Sequence, residues 1–321
     1  MSLRRLLRLA MLFVSCIGAA NASDAASLNI YRFDSQQHSL TMRYLDVAPA
    51  AAVEPKGAAL LLHGKNFCAD YWEDTIELLR GEGYRVIVPE QIGFCSSDLP
   101  ERYQYSFHQL ADNTRGLLDK LGIDQTLVIA HSMGGMLGTR YALKYPDAVS
   151  RLVLVNPIGL EDWIKLGVPH TPVDQAYAAE QRKDFASIKQ YQQSNYYDGQ
   201  WSPDYERWAR RLAGLYEGPR GDAIAWSQAL TFDMLQTQPV VHEFENLRVP
   251  TVLMIGQRDR TAPGRNKAPA AVAETLGDYP ALGRATAKRI PNATLIEFDG
   301  LGHLPQIEDF DRFAKALRPY L

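Results

Sequence analysis

Cysteine is scarce in this chain, three residues in 321, and histidine contributes only seven. The histidines are scattered and the cysteines are not spaced as zinc ligands, so no metal site is expected. A basic excess is missing too: 34 lysines and arginines face 37 aspartates and glutamates, a net charge of −3. No basic stripe interrupts that balance, which argues against nucleic acid as a partner. The apolar run Leu9 to Ala20 has 12 residues, too few to span a bilayer comfortably. No internal repeat and no low-complexity linker is visible. What remains is an ordinary globular composition, 46% hydrophobic and 22% charged. Its length suits one large α/β domain with an insertion, or two small domains.

The short apolar run has its own reading. Arg4, Arg5 and Arg8 precede it, and Ala20-Asn21-Ala22 follows it with a small-x-small pattern. Residues 1–22 therefore read as a secretory signal peptide cleaved after Ala22, with Ser23 as the mature N-terminus. Cys16 is a poor lipidation site, because Phe13-Val14-Ser15 is a poor lead-in. Cleavage takes three of the 34 basic residues and no acid, leaving 31 against 37, or −6. That charge opposes adhesion to anionic surfaces, and no stable membrane insertion is expected once the leader is gone. The implied location is secreted or periplasmic, where disulfides persist. The mature chain keeps Cys68 and Cys95, each in a loop after an apolar strand-like run. A bridge between them would close 27 residues, for about 3.5 kcal/mol in the chain-entropy picture. Two free thiols are the alternative.

Apolar runs and turn signals give an alternation of strands and helices. Leu28 to Phe33 and Ser39 to Val47 read as two strands, the second half-exposed by its alternation. Ala58 to Leu62 reads as a buried strand, Tyr71 to Arg80 as a helix ending at Gly81 and Gly83, and Tyr84 to Val88 as a strand stopped by Pro89. Phe107 to Leu121 has helical spacing and stops at Gly122; Thr126 to Ala130 and Ser150 to Val155 are further strands. From Pro157 to Leu247 the pattern breaks into a polar, helical stretch rich in tryptophan and tyrosine. It resumes with Val249 to Ile255, Ala293 to Phe298 and a last helix from Ile307 to Leu317. The expected architecture is a mostly parallel sheet covered by helices, with a helical insertion over the carboxyl edge of its strands.

The chemistry concentrates at Ala130-His131-Ser132-Met133-Gly134-Gly135, which lies between a strand and the helical segment Met136 to Leu143. A serine on such a turn needs small neighbours, and Gly134 and Ala130 supply them. Its hydroxyl is a weak nucleophile unless a base and an orienting acid lie in reach. In open α/β sheets such groups come from the carboxyl ends of strands. Asp259 follows the strand Val252 to Ile255, and His303 follows Leu295 to Phe298, in the order Ser, Asp, His. Two backbone N–H groups should face a developing oxyanion. Met133 would supply one; Lys65, after Leu62-His63-Gly64, would supply the other, with Asn66 as runner-up.

These motifs resemble the α/β-hydrolase superfamily, in the branch with a helical cap after the sixth strand. The resemblance is carried by His63-Gly64, by Pro89-Glu90-Gln91-Ile92-Gly93-Phe94 with Ser96-Ser97, by the Ser132 turn, by Gly256-x-x-Asp259-x-x-x-Pro263 and by Gly302-His303, and it covers the whole mature chain. It implies an eight-stranded core from 23–156 and 248–321, a cap over 157–247, Ser132 as nucleophile, His303 as general base and acid, Asp259 as its orienter, and no cofactor. Three departures stand out: Glu90 where the family has Asp, a long Asp259–His303 spacing of 44 that leaves Gly264 to Arg289 as an added helix or flap, and Lys65 itself. Lys65 either binds a substrate carboxylate or reaches solvent. Asp233 and Asp299 are alternative acids. His63 and His131 are expected to pack and hydrogen-bond; His170 and His242 are pocket candidates.

The reading is a serine hydrolase acting on a small or medium ester or lactone, with a hydrophobic or aromatic acyl group hinted at by the aromatic cap. A serine at this position opposes dehalogenase and epoxide hydrolase chemistry, and the lack of a long exposed apolar stretch opposes an interfacial lipase. A proline-releasing aminopeptidase or amidase would share the triad and would need acids to grip a free amine, with Glu161, Asp162 and Glu180 as candidates. Carbon–carbon bond hydrolysis, acyl transfer and non-enzymatic ligand sensing on the same fold stay open.

Overall fold

A computed structural model describes residues 28–321; the signal-peptide reading lies outside them. The chain opens with a hairpin of β1 (Asn29–Ser35) and β2 (His38–Val47). Its two-residue turn puts Gln36 and Gln37 at φ 50° and 64°, the left-handed pair that matches the twist of the strands. There follow β3 (Gly57–Leu62), β4 (Tyr84–Glu90), β5 (Thr126–His131), β6 (Val149–Val155), β7 (Thr251–Gly256) and β8 (Ala293–Phe298). The sheet order is β1-β2-β4-β3-β5-β6-β7-β8. β1 and β2 pair antiparallel and every pairing from β4 to β8 is parallel.

Parallel strands need crossovers, and helices supply them on both faces. α1 is Glu73–Gly81, α2 Phe107–Lys120 and α3 Met133–Lys144; β6 and β7 are separated by α4 (Val173–Glu180), α5 (Phe185–Asn195), α6 (Pro203–Glu217) and α7 (Gly221–Thr237). α8 (Ala270–Ala273) and α9 (Tyr279–Arg289) precede β8, and α10 (Pro305–Glu308) and α11 (Phe310–Leu317) follow it. The central strands read as continuous apolar runs because both faces are covered: in β5, Val128 and Ala130 enter one core while Leu127 and Ile129 enter the other. Among the described residues no helix is long and apolar enough to cross a membrane.

Three boundaries differ from the sequence reading. β4 runs through Pro89, which sits opposite Tyr44 of β2. Pairing with β3 ends at Ile87, so the proline costs no ladder bond on that side. The segment before α1, Ala69–Trp72, is a 3₁₀ turn rather than α-helix. The last helix is broken at Asp309, whose backbone leaves the helical region and whose side chain caps α11 by accepting from the Arg312 amide, a local alternative that apolar spacing does not register.

Cys68 and Cys95 form a disulfide. It ties the loop after β3 to the loop after β4, both at the carboxyl end of the sheet. Arg220, just before α7, donates to the carbonyls of Cys95 and Ser97 at 3.1 and 2.6 Å, which anchors the inserted helices to the same loop.

Candidate active site

The turn between β5 and α3 holds Ser132 at φ 56°, ψ −122°, a left-handed conformation that costs a non-glycine residue roughly 1–3 kcal/mol. The surroundings enforce it. Ser132 donates its amide to the Val155 carbonyl and accepts from the amides of Gly135 and Ile158. A Cβ on Gly134 would lie 2.3 Å from the Leu62 carbonyl oxygen, and one on Gly135 would lie 2.4 Å from Pro157. Ala130 is accommodated because α3 meets it with Gly138, where a Cβ would approach the Ala130 methyl at 2.9 Å.

The acid and the histidine meet in the interior. His303 Nδ1 lies 2.6 Å from Asp259 Oδ2, and both side chains are fully buried. Asp259 is further saturated: Oδ2 accepts from Asn156 Nδ2 at 2.9 Å and Oδ1 from the Thr261 amide at 2.8 Å. Asn156, at φ 38° directly after β6, also accepts from the Gly256 amide, so one side chain locks β6 to the end of β7. A Cβ on Gly256 would sit 1.9 Å from the Gly302 carbonyl; glycine there lets the two loops close on each other. The His303 backbone is gripped on both sides, its amide donating to the Tyr196 carbonyl at 2.8 Å and its carbonyl 2.9 Å from His131 Nε2. The Tyr196 ring stacks on the imidazole at 4.4 Å. Among the described residues His303 Nε2 is buried with no hydrogen-bond partner, and no hydrogen bond joins it to Ser132 Oγ.

Glu308 steadies the same loop. Its carboxylate accepts from the amides of Gly302 and Leu304, which flank His303, and pairs with Arg258 at 3.3 Å. Burial pushes this carboxyl up to about 7, against the pull of those amides and of Arg258. A carboxyl with a raised native pKa contributes stability that is complete below its ordinary value of 4.5 and is lost as pH rises through about 7. Glu308→Gln should therefore flatten the fall in stability between pH 5 and 8, a difference on the order of 3 kcal/mol. Denaturant titrations across that range test it, and parallel curves for the two proteins would contradict it.

Lys65 turns inward rather than out to solvent. Its side chain is 12% exposed, and Nζ donates to the Gln228 carbonyl (2.8 Å), Gln228 Oε1 (2.6 Å) and Thr231 Oγ1 (3.2 Å), with Glu180 at 3.9 Å. Burial lowers its pKa to about 7, Glu180 opposing. Among the described residues neither the Lys65 nor the Met133 amide donates a hydrogen bond. The Asn66 side chain holds the Tyr196 hydroxyl at 2.8 Å.

The remaining candidates have other partners. His63 accepts from the Gln91 amide at Nε2 and meets the Gly64 carbonyl at Nδ1, and burial lowers its pKa to about 4. His131 bridges the Tyr71 hydroxyl and the His303 carbonyl. Asp233 pairs with His170 and Asp162 with His242, both on the surface, so neither histidine enters the cavity. The Asp299 carbonyl accepts from Arg312. Glu161 accepts from Trp163 Nε1 and the Gly277 amide. Glu180 is buried between Lys183 (2.7 Å) and Lys65; burial raises its pKa, but the two lysines outweigh that and hold it low.

A cavity of about 430 Å³ opens at Ser132. The inserted helices, Lys65 and the segment Thr261 to Lys267 wall it, with Ile158, Phe232 and Leu235 giving it an apolar lining. Only the first part of the 264–289 stretch lies at the cavity; α9 is the crossover packed on β7 and β8. Sequence reasoning did not single out Asn156, Tyr196 or Glu308. Asn156 had a signal, an amide at the carboxyl end of a strand. Tyr196 is one aromatic among many in a helical stretch, and the Glu308 contacts are tertiary.

A model of the α/β-hydrolase fold matches residues 59–310. The chain is 26% identical over 271 residues to 2-hydroxymuconate semialdehyde hydrolase of Pseudomonas putida, covering 82% of this chain and 86% of that one. It is 25% identical over 347 residues to lipase 1 of Psychrobacter immobilis, covering 100% and 99%. The crystal structure of a probable hydrolytic enzyme from Pseudomonas aeruginosa PAO1 superposes with a TM-score of 0.90 at 52% identity, over 92% of this chain and 95% of that one. With the sheet order, the covering helices and the match over most of its length, the chain belongs to the α/β-hydrolase fold family.

Proposed function

We propose that this protein is a cofactor-independent serine hydrolase that cleaves a small or medium carboxylic ester or lactone through an acyl-enzyme. The observations that carry the reading are the buried His303–Asp259 pair, whose Nε2 has no hydrogen-bond partner among the described residues, and a strained serine that opens on a largely apolar cavity. Ser132 Oγ attacks the acyl carbon while His303 Nε2 takes its proton. The imidazolium so formed is stabilised by Asp259 and then protonates the leaving oxygen. The amides of Met133 and Lys65 hold the oxyanion. Water, deprotonated by His303, releases the acid. The Ser132–His303 contact closes when substrate seats, as is common for catalytic hydrogen bonds that are long in the free enzyme.

Residues 157–247 act as a cap in this reading, since their helices and Ser132 wall one cavity. Secretion or a periplasmic location is supported by the disulfide. The aminopeptidase alternative draws no support from Glu161, Asp162 or Glu180, each already engaged. The chain from Ser23 onward should hydrolyse p-nitrophenyl acyl esters from acetate upward, with an optimum set by the cavity, and leave proline p-nitroanilide intact. Cleavage of the anilide alone would favour the peptidase, and cleavage of neither would favour acyl transfer or ligand sensing.

A further inference from the structure

The cavity wall carries polar groups that the reaction at Ser132 does not use. Gln192, on the last turn of α5, is fully buried, lines the cavity, and has neither Oε1 nor Nε2 hydrogen-bonded. Thr261 and Arg265 also contribute to the lining, and Thr261 Oγ1 and Arg265 Nε are buried with no partner among the described residues. Buried amides and hydroxyls are almost always paired, so three such residues around one cavity call for a ligand. They are brought together by tertiary structure: the Arg260 amide donates to the Asn195 carbonyl at 3.1 Å, which docks the end of α5 on the loop that carries Thr261 and Arg265.

The charge of the wall points to the ligand's sign. Its ionisable side chains are Lys65, Lys183, Arg265 and Lys267 against Glu180 alone, in a chain whose net charge is −3. Glu180 is taken by Lys65 and Lys183, and Lys267 donates to Thr171 Oγ1. Arg265 forms no ion pair among the described residues; Nη2 donates to the Leu276 carbonyl. Gln192 Nε2, Thr261 Oγ1 and Arg265 Nε are three donors, within the capacity of one carboxylate and charge-assisted by the guanidinium.

We propose that Gln192, Thr261 and Arg265 form a carboxylate-binding subsite, so that the substrate is anionic: a half-ester of a dicarboxylic acid, with an apolar body between the scissile ester and the free carboxylate. The substrate assignment rests on the hydrolase reading above; the anion subsite does not. Within each protein, the ratio of kcat/KM for a p-nitrophenyl half-ester of glutaric acid to that for p-nitrophenyl valerate should exceed 10. It should fall at least tenfold in Gln192→Met and in Arg265→Gln, and should shrink with added salt. Because it is a ratio, general damage to the enzyme cancels. Glutarate alone should raise the melting temperature of the wild type, and both variants should lose that rise. Stabilisation by glutarate without cleavage of either ester would sustain the subsite and sink the hydrolase reading. A ratio near one with no effect of glutarate, or the uncharged diamide glutaramide binding as well as glutarate, would overturn the subsite.

Discussion

Ser132→Ala should lower kcat on any ester the protein cleaves by on the order of 10⁵-fold or more while the protein stays folded. Oγ is the only heavy atom removed, and among the described residues it takes part in no hydrogen bond. The backbone bonds that hold the turn involve the Ser132 amide and carbonyl, which alanine keeps. Alanine also keeps the Cβ, so the left-handed strain at φ 56° is the same in both proteins and the melting temperature should move little. Rates beneath steady-state detection can be followed by single turnover at high enzyme concentration. A residual rate within about tenfold of wild type would remove Ser132 from the chemistry and move attention to another nucleophile on the cavity wall. A collapse in melting temperature would mean that the hydroxyl supports the fold.

Asp259→Asn should cost about 10⁴-fold in kcat with little change in KM, the loss expected when the imidazole is left in the wrong tautomer. The surroundings of this carboxylate make the prediction sharp. Oδ2 accepts from His303 Nδ1 and from Asn156, and Oδ1 accepts from the Thr261 amide. An asparagine has one acceptor and one donor for these places. Placed with its NH₂ toward His303, it forces the imidazole to accept at Nδ1 and carry its proton at Nε2, where it cannot take one from serine; it also opposes the Asn156 NH₂. Placed the other way, its NH₂ faces the Thr261 N–H, leaving a buried donor without an acceptor at about 1–3 kcal/mol. The first orientation, which keeps the Thr261 bond, carries the activity loss; the second would keep the imidazole tautomer and show the stability loss alone. kcat should stay low at every pH, and the melting temperature should fall by a few degrees. A variant with near wild-type kcat would show that Asp259 only fixes the loop.

The legible part of this protein was legible because its signals are local. Buried parallel strands are continuous apolar runs, and the positions of Ser132, Asp259 and His303 follow from which strand each one ends. Small residues around Ser132 mark a turn with no room, and two cysteines after successive strands marked the bridge now seen between Cys68 and Cys95. The misread boundaries also have local causes of a kind that periodicity does not weigh: a proline tolerated where one strand partner has ended, and an aspartate that caps rather than continues a helix.

The amino-acid sequence by itself therefore determined the order of strands and helices, the family, and which residues stand at the carboxyl ends of the strands. Tertiary structure alone decided what those residues meet. Asn156 reaches Asp259 across 103 positions, Lys65 reaches Gln228 across 163, and His131 reaches the His303 carbonyl across 172. The unpaired amide of Gln192 is visible only once its neighbours are known. The physical reason is that strand and helix patterns are set by side-chain spacing along the chain. Hydrogen-bond saturation and cavity charge depend on groups that folding brings together from far apart.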